Sequence, residues 1–190
     1  MRHSLRPATL LALVLVSGCR PSSPVEPSTA PTEPAPAALS LNSHDEDVER
    51  LTEAVRESRA RFERLVAERP AYVYTSHDAS FSGHSWSYRL TVDHERVTRR
   101  EYEARDDGGK RIETWVEAEP AVGEHPGGPT TGLAALYDQC LGKVLTRDPA
   151  DHELFVEIGD DGLMSACLYV RKGCMDDCSE GPRVSAVEWR

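Results

Sequence analysis

Trp86-Ser87-Tyr88-Arg89-Leu90-Thr91-Val92 alternates large apolar with polar residues, the period-two pattern of a strand with one buried face. The same period continues on either side. Upstream, Tyr72 and Tyr74 alternate. Downstream, Asp93-His94-Glu95-Arg96 leads to a run from Val97 to Tyr102, and Asp106-Asp107-Gly108-Gly109 leads to one from Ile112 to Val116. Turn-forming residues between strand-like runs predict an antiparallel meander. Its inner face is expected to carry Trp86, Tyr88, Leu90 and Val92, with Arg89, Arg99, Arg100 and Arg111 at exposed or edge positions.

Ahead of the meander, Ser43-His44-Asp45-Glu46 has the form of a capping box. Apolar residues then recur at Val48, Leu51, Val55, Phe62, Leu65 and Val66, which predicts a helix from about residue 45 to 68, ended by Pro70. The spacing also fits a short coiled coil with Ser58 as its gap, but one helix laid across a sheet is the preferred reading. Beyond the meander, a Gly/Pro-rich stretch (119–129) crosses to a second helix. Thr130 or Thr131 is expected to cap it, and Leu133, Leu136, Tyr137, Cys140, Leu141 and Val144 form its stripe. Asp148-Pro149 stops it. Two strands follow, Leu154 to Ile158 and Leu163 to Val170, joined at Gly159-Asp160-Asp161-Gly162, then a short strand from Arg183 to Trp189. The expected fold is α+β: an antiparallel sheet of about six to seven strands, two helices packed on one face, stapled by disulfides.

The amino terminus carries a different message. Arg2 and Arg6 precede an apolar run from Leu10 to Val16, and small residues then meet a cysteine in Val16-Ser17-Gly18-Cys19. This resembles the lipobox of bacterial lipoproteins. The resemblance implies a diacylglyceryl group on Cys19, cleavage between Gly18 and Cys19, and acylation of the freed amine. The apolar run is far short of the ~20 residues needed to span a bilayer, so anchoring through lipid is expected. By the sorting rule of Gram-negative lipoproteins, Arg20 after the cysteine points to the outer membrane, facing the periplasm or the cell surface. Residues 20–40 hold six prolines among Ser, Thr, Ala and Glu. Such a tether reaches up to roughly 60 Å at ~3.1 Å per residue. The chain therefore divides into a signal peptide (1–18), a lipidated cysteine with its tether (19–40) and one globular domain (41–190).

Setting Cys19 aside leaves Cys140, Cys167, Cys174 and Cys178 in a compartment where disulfides persist. Four cysteines allow three connectivities. A two- or four-residue turn between the strands at 154–158 and 163–170 puts Cys167 on the face of Leu154, Val156 and Ile158, which the stripe bearing Cys140 covers. This favours Cys140 with Cys167, leaving Cys174 to close a small loop with Cys178. Structural zinc at the four cysteines is the competing reading.

The net charge of -10 argues against nucleic acid as a partner, since that needs a basic face. His77-Asp78-Ala79-Ser80-Phe81-Ser82-Gly83-His84-Ser85 gathers nucleophile and base types, and His77, His84 and His94 could be set beside a metal. No Gly-x-Ser-x-Gly elbow or His-Glu-x-x-His pattern accompanies them, so a polar turn is the simpler reading. Gly127-Gly128-Pro129-Thr130-Thr131-Gly132 lacks the Gly-Lys-Ser/Thr of a phosphate loop, and Gly159-Asp160-Asp161-Gly162 lacks the alternating ligands of a calcium loop. No catalytic residue, metal or cofactor is assigned. With Tyr72, Tyr74, Trp86 and Tyr88 in the meander, Thr131 to Tyr137 in the helix and Phe155 to Leu168 in the hairpin, the domain resembles small bacterial envelope domains of no assigned chemistry, which carries over no site. The expected function is that of a lipid-anchored envelope protein, joined to the membrane through Cys19, whose non-catalytic domain binds a protein or another envelope component through the sheet or the Cys174 to Cys178 loop. The alternative is a periplasmic hydrolase using the His77 to Ser85 loop.

Overall fold

A computed structural model describes residues 38–44, 46–176 and 178–190. The lipobox with Cys19, and the tether up to residue 37, lie outside the described residues. The elements in chain order are β1 (Leu39–Asn42), α1 (Val48–Glu68), β2 (Ala71–Ala79), β3 (Ser85–Asp93), β4 (Arg96–Arg105), β5 (Arg111–Ala118), α2 (Leu133–Gln139), which runs on as a π-helical turn over Cys140–Val144, β6 (His152–Ile158), β7 (Met164–Arg171), β8 (Ser179–Glu180) and β9 (Ala186–Trp189). The class is α+β with antiparallel pairing throughout.

The strands form two sheets, of order β5-β4-β3-β2-β9 and β1-β6-β7-β8. Two short segments, β1 and β8, raise the strand number from the expected six to seven to nine. Leu39 and Leu41 lie opposite Ile158 and Val156, so β1 begins within the stretch read as tether. The segment after β8 changes partner in mid-course. The Cys167 N–H donates to Pro182 O (3.0 Å) and the Val184 N–H to Ser165 O (2.7 Å), whereas the Ser185 N–H donates to Thr75 O (2.8 Å). One stretch thus edges both sheets. Gly181 makes this possible: its φ is +135°, and a Cβ there would lie 2.1 Å from Cys167 O.

Asp47, not Ser43, caps α1, its carboxylate accepting from the Arg50 N–H at 2.8 Å. Ser43 is instead used across the sheet, where its hydroxyl accepts from the Leu154 N–H. Leu51, Ala54, Val55, Ser58 and Phe62 are buried, and Phe62 packs against the rings of Tyr72, Tyr137 and Trp189. The fully buried Leu51, Val55 and Phe62 each contribute on the order of 1.5–3 kcal/mol. Ser58, a gap in the apolar stripe, has a use of its own. It bonds the Tyr137 hydroxyl at 2.8 Å, which also accepts from the Met164 N–H at 3.0 Å, tying α1, α2 and β7 at one buried point.

Two cysteine pairs stand at disulfide distance. Cys140 and Cys167, with Cα atoms 5.7 Å apart, are both fully buried, and Val156 lies directly opposite Cys167, the register that favours this pairing. Cys174 and Cys178 form the second pair, with Cα atoms 6.2 Å apart.

Neither Thr130 nor Thr131 caps α2. Gly132 is the cap residue, with no side-chain bond of its own. The first helical N–H groups are met from the meander: Leu133 donates to the Tyr72 hydroxyl (2.8 Å) and Ala134 to a Glu95 carboxylate oxygen (3.1 Å). Glu95 reaches them from the β3–β4 turn, where His94 and Glu95 both have positive φ, 49° and 60°, as a two-residue hairpin turn requires. Tyr74 donates to Thr131 O at 2.7 Å. The meander's tyrosines therefore fix where α2 starts.

Candidate functional site

On the inner face of the five-stranded sheet, Tyr88, Tyr102 and Trp115 stand side by side on β3, β4 and β5, with centroids 4.9 Å and 5.0 Å apart. One residue pair along lie Leu90, Arg100 and Glu117. Arg100 is fully buried and Glu117 nearly so, which corrects the expectation that Arg100 is exposed or at an edge. It falls in the same alternation as Tyr102, so the pleat aims it inward.

A charge in that position must be paired. Arg100 Nη1 donates to Glu117 Oε2 at 3.0 Å, and Nη2 donates to Gly127 O at 2.5 Å. Its guanidinium lies 5.0 Å from the Trp115 ring centroid, and Nε is the one buried side-chain polar atom without a partner among the described residues. Glu117 in turn accepts from the backbone N–H groups of Gly123 (2.8 Å) and His125, and contacts the His125 ring at 2.9 Å. Burial pushes the Glu117 carboxyl up. The bonds from Gly123 and His125 and the Arg100 charge outweigh it and hold the pKa down at about 2. His125 stacks on Trp115 at 4.4 Å. This corner fastens the 119–130 loop onto the sheet. The fit is close at Gly128 (φ +68°), where a Cβ would come within 2.3 Å of the Tyr88 ring.

The fastened loop forms one rim of a cleft of about 410 Å³. Ser76, Asp78, Trp86 and Tyr88 supply the sheet side, Leu136 and Gln139 of α2 the roof, and the 181–183 crossover the far wall. Asp78 meets Arg183 at 3.4 Å, and Arg183 also donates to Ser179 Oγ at 2.6 Å. Burial pushes the Tyr88 phenol up, so its hydroxyl keeps its proton.

The residues singled out in the sequence are only partly brought together. His77 and Asp78 extend β2, and Ser80, Ser82 and His84 make the exposed turn, with Ser80 Oγ 2.5 Å from Ser82 Oγ and Ser82 Oγ 3.0 Å from His84 Nδ1. Asp78 does not orient His84. Its carboxylate is taken by Arg183 and the Ala79 N–H. His94 lies in the turn at the other end of β3, a strand length away from His84. Among the described residues no group of three or more His, Cys, Asp or Glu could hold a metal, and no helix is long and apolar enough to cross a membrane. Ser76, Gln139 and the Arg100 to Glu117 corner carry no motif. The available signal was phase: Arg100 with Tyr102, and Glu117 with Trp115. No family model, curated protein or solved structure matches the chain.

Proposed function

We propose that this is a lipid-anchored protein of the bacterial cell envelope, held through Cys19 in the outer membrane, whose domain is a non-catalytic binding module that takes up an envelope component in the cleft between β2, β3 and α2. The observation carrying this reading is the cleft's construction: a loop locked by a buried ion pair sets one rim, and side chains with free polar groups line the inside. The lipobox residues Val16 to Cys19 support the anchor. Labelled palmitate should enter the wild-type chain and not Cys19→Ala; incorporation into both, or into neither, removes the anchor. For the cleft, a photo-cross-linking residue at Gln139 is compared with one at Arg99, exposed on the opposite face. Capture of one envelope component from Gln139 alone is expected, and equal capture from both excludes the cleft.

The Ser82 to His84 contact favours a second reading, a periplasmic hydrolase working from the β2–β3 turn. Ester turnover that disappears in both Ser82→Ala and His84→Ala would establish it, and unchanged turnover in either would end it.

A further inference from the structure

The cleft's charged and uncharged groups are treated differently by the fold. Its two fixed charges, Asp78 and Arg183, are paired with each other. Its uncharged polar groups are left over: among the described residues the hydroxyls of Ser76, Tyr88 and Thr130 and the carboxamide of Gln139 make no hydrogen bond, and the half-buried Trp86 ring makes no stacking or cation–π contact. From this we infer that the cleft binds an uncharged, polyhydroxylated ligand, a saccharide, with one sugar face laid on Trp86. The inference rests on the cleft being the binding site proposed above.

A sugar ring has an apolar face of C–H groups and a rim of hydroxyls, each both donor and acceptor. The unpartnered groups match that description. The indole supplies an apolar face, the carboxamide donates and accepts through different atoms, and the three hydroxyls do both. An anionic ligand would have to draw Arg183 from Asp78 and Ser179, and a cationic one would have to draw Asp78 from Arg183, whereas the uncharged groups need break no bond of the protein. A peptide adding itself as a strand needs an open sheet edge, whereas β3 is paired on both sides, β2 is paired with β9 as far as Thr75, and Arg183 of the crossover lies against Asp78 beyond it. The volume of about 410 Å³ suits a mono- or disaccharide.

The test uses the intact chain carrying Cys19→Ala, which leaves the domain residues unaltered, on a glycan array with neutral and acidic oligosaccharides and isolated envelope polysaccharide. Binding to neutral glycans over acidic ones is expected, weakened on the order of tenfold or more by Trp86→Ala. Spots of short oligosaccharide and of polymer separate a soluble sugar from a wall polymer as the source. Gln139→Ala, at a residue outside the hydrophobic core, guards against misfolding of the first variant and should also weaken binding. Absence of glycan binding, preference for acidic glycans, or binding indifferent to both substitutions overturns the inference. If glycans fail while the Gln139 cross-linker still captures one envelope component, the binding module stands and only the saccharide falls. If both fail, both readings fall.

Discussion

The Arg100 corner and the cleft lie side by side on one sheet face and share Tyr88, yet they are built on opposite rules. In the corner, charges are buried and nearly every donor and acceptor is matched inside the protein. In the cleft, charges sit at the wall and the uncharged polar groups are unmatched. The difference separates two jobs: the corner spends polar groups on holding a loop still, and the cleft keeps them available. Replacing a corner residue should therefore cost stability first, and replacing a cleft residue outside the core, such as Gln139, should cost binding alone.

The largest effect is expected from Arg100→Ala, which strands Glu117 without its cation: about 3–5 kcal/mol less stability by urea denaturation, with glycan binding lost as the loop is released. A loss under about 1 kcal/mol would show that the corner is not what holds the loop. Gly132→Ala comes next, at about 1–3 kcal/mol, because its Cβ would fall 2.4 Å from the Glu95 carboxylate that caps α2. If Glu95 swings aside the helix start loses its cap, and thermal melting reads either response. The third effect depends on pH. Folding lowers Glu117 from its ordinary 4.5 to about 2, so unfolded chains take up the proton first. The stabilisation is complete above about pH 4.5 and is lost as pH falls towards 2. The melting temperature of Glu117→Gln, already lower at neutral pH, should fall less steeply between pH 5 and about 2.5 than that of the wild type. Parallel slopes would mean that Glu117 does not titrate with folding. The smallest effect is Gln139→Ala, within about 0.5 kcal/mol of wild type by denaturation, and a larger change would place Gln139 in the scaffold.

Where burial follows from apolar alternation alone, the sequence was readable. The meander, the stripes of both helices and the face shared by Cys167 and Val156 all follow from period. Three misreadings share one cause: a polar residue whose partner is distant in the chain. Arg100 looks like an exposed residue until Glu117 and Gly127 are brought to it. Glu95 looks like a turn residue until α2 arrives at its carboxylate. Ser43 has the spacing of a cap but bonds a strand 111 residues away in sequence. The leftover groups of the cleft were illegible for a related reason, since lacking a partner is a property only a finished fold can have.

The crossover that edges both sheets also sets a timetable. Trp189 pairs with Tyr72, so the outer edge of β2 has no neighbour until β9 has arrived. In an exported chain, which folds after crossing the membrane, the interval runs from the arrival of Ala79 to that of Trp189, 110 residues later. For that interval a strand rich in tyrosine and valine presents unpaired N–H and C=O groups to whatever is near. A chain arriving in this order is a natural client for a holding chaperone, and shortening the wait by circular permutation, with β9 moved ahead of β2, should raise the yield of folded protein.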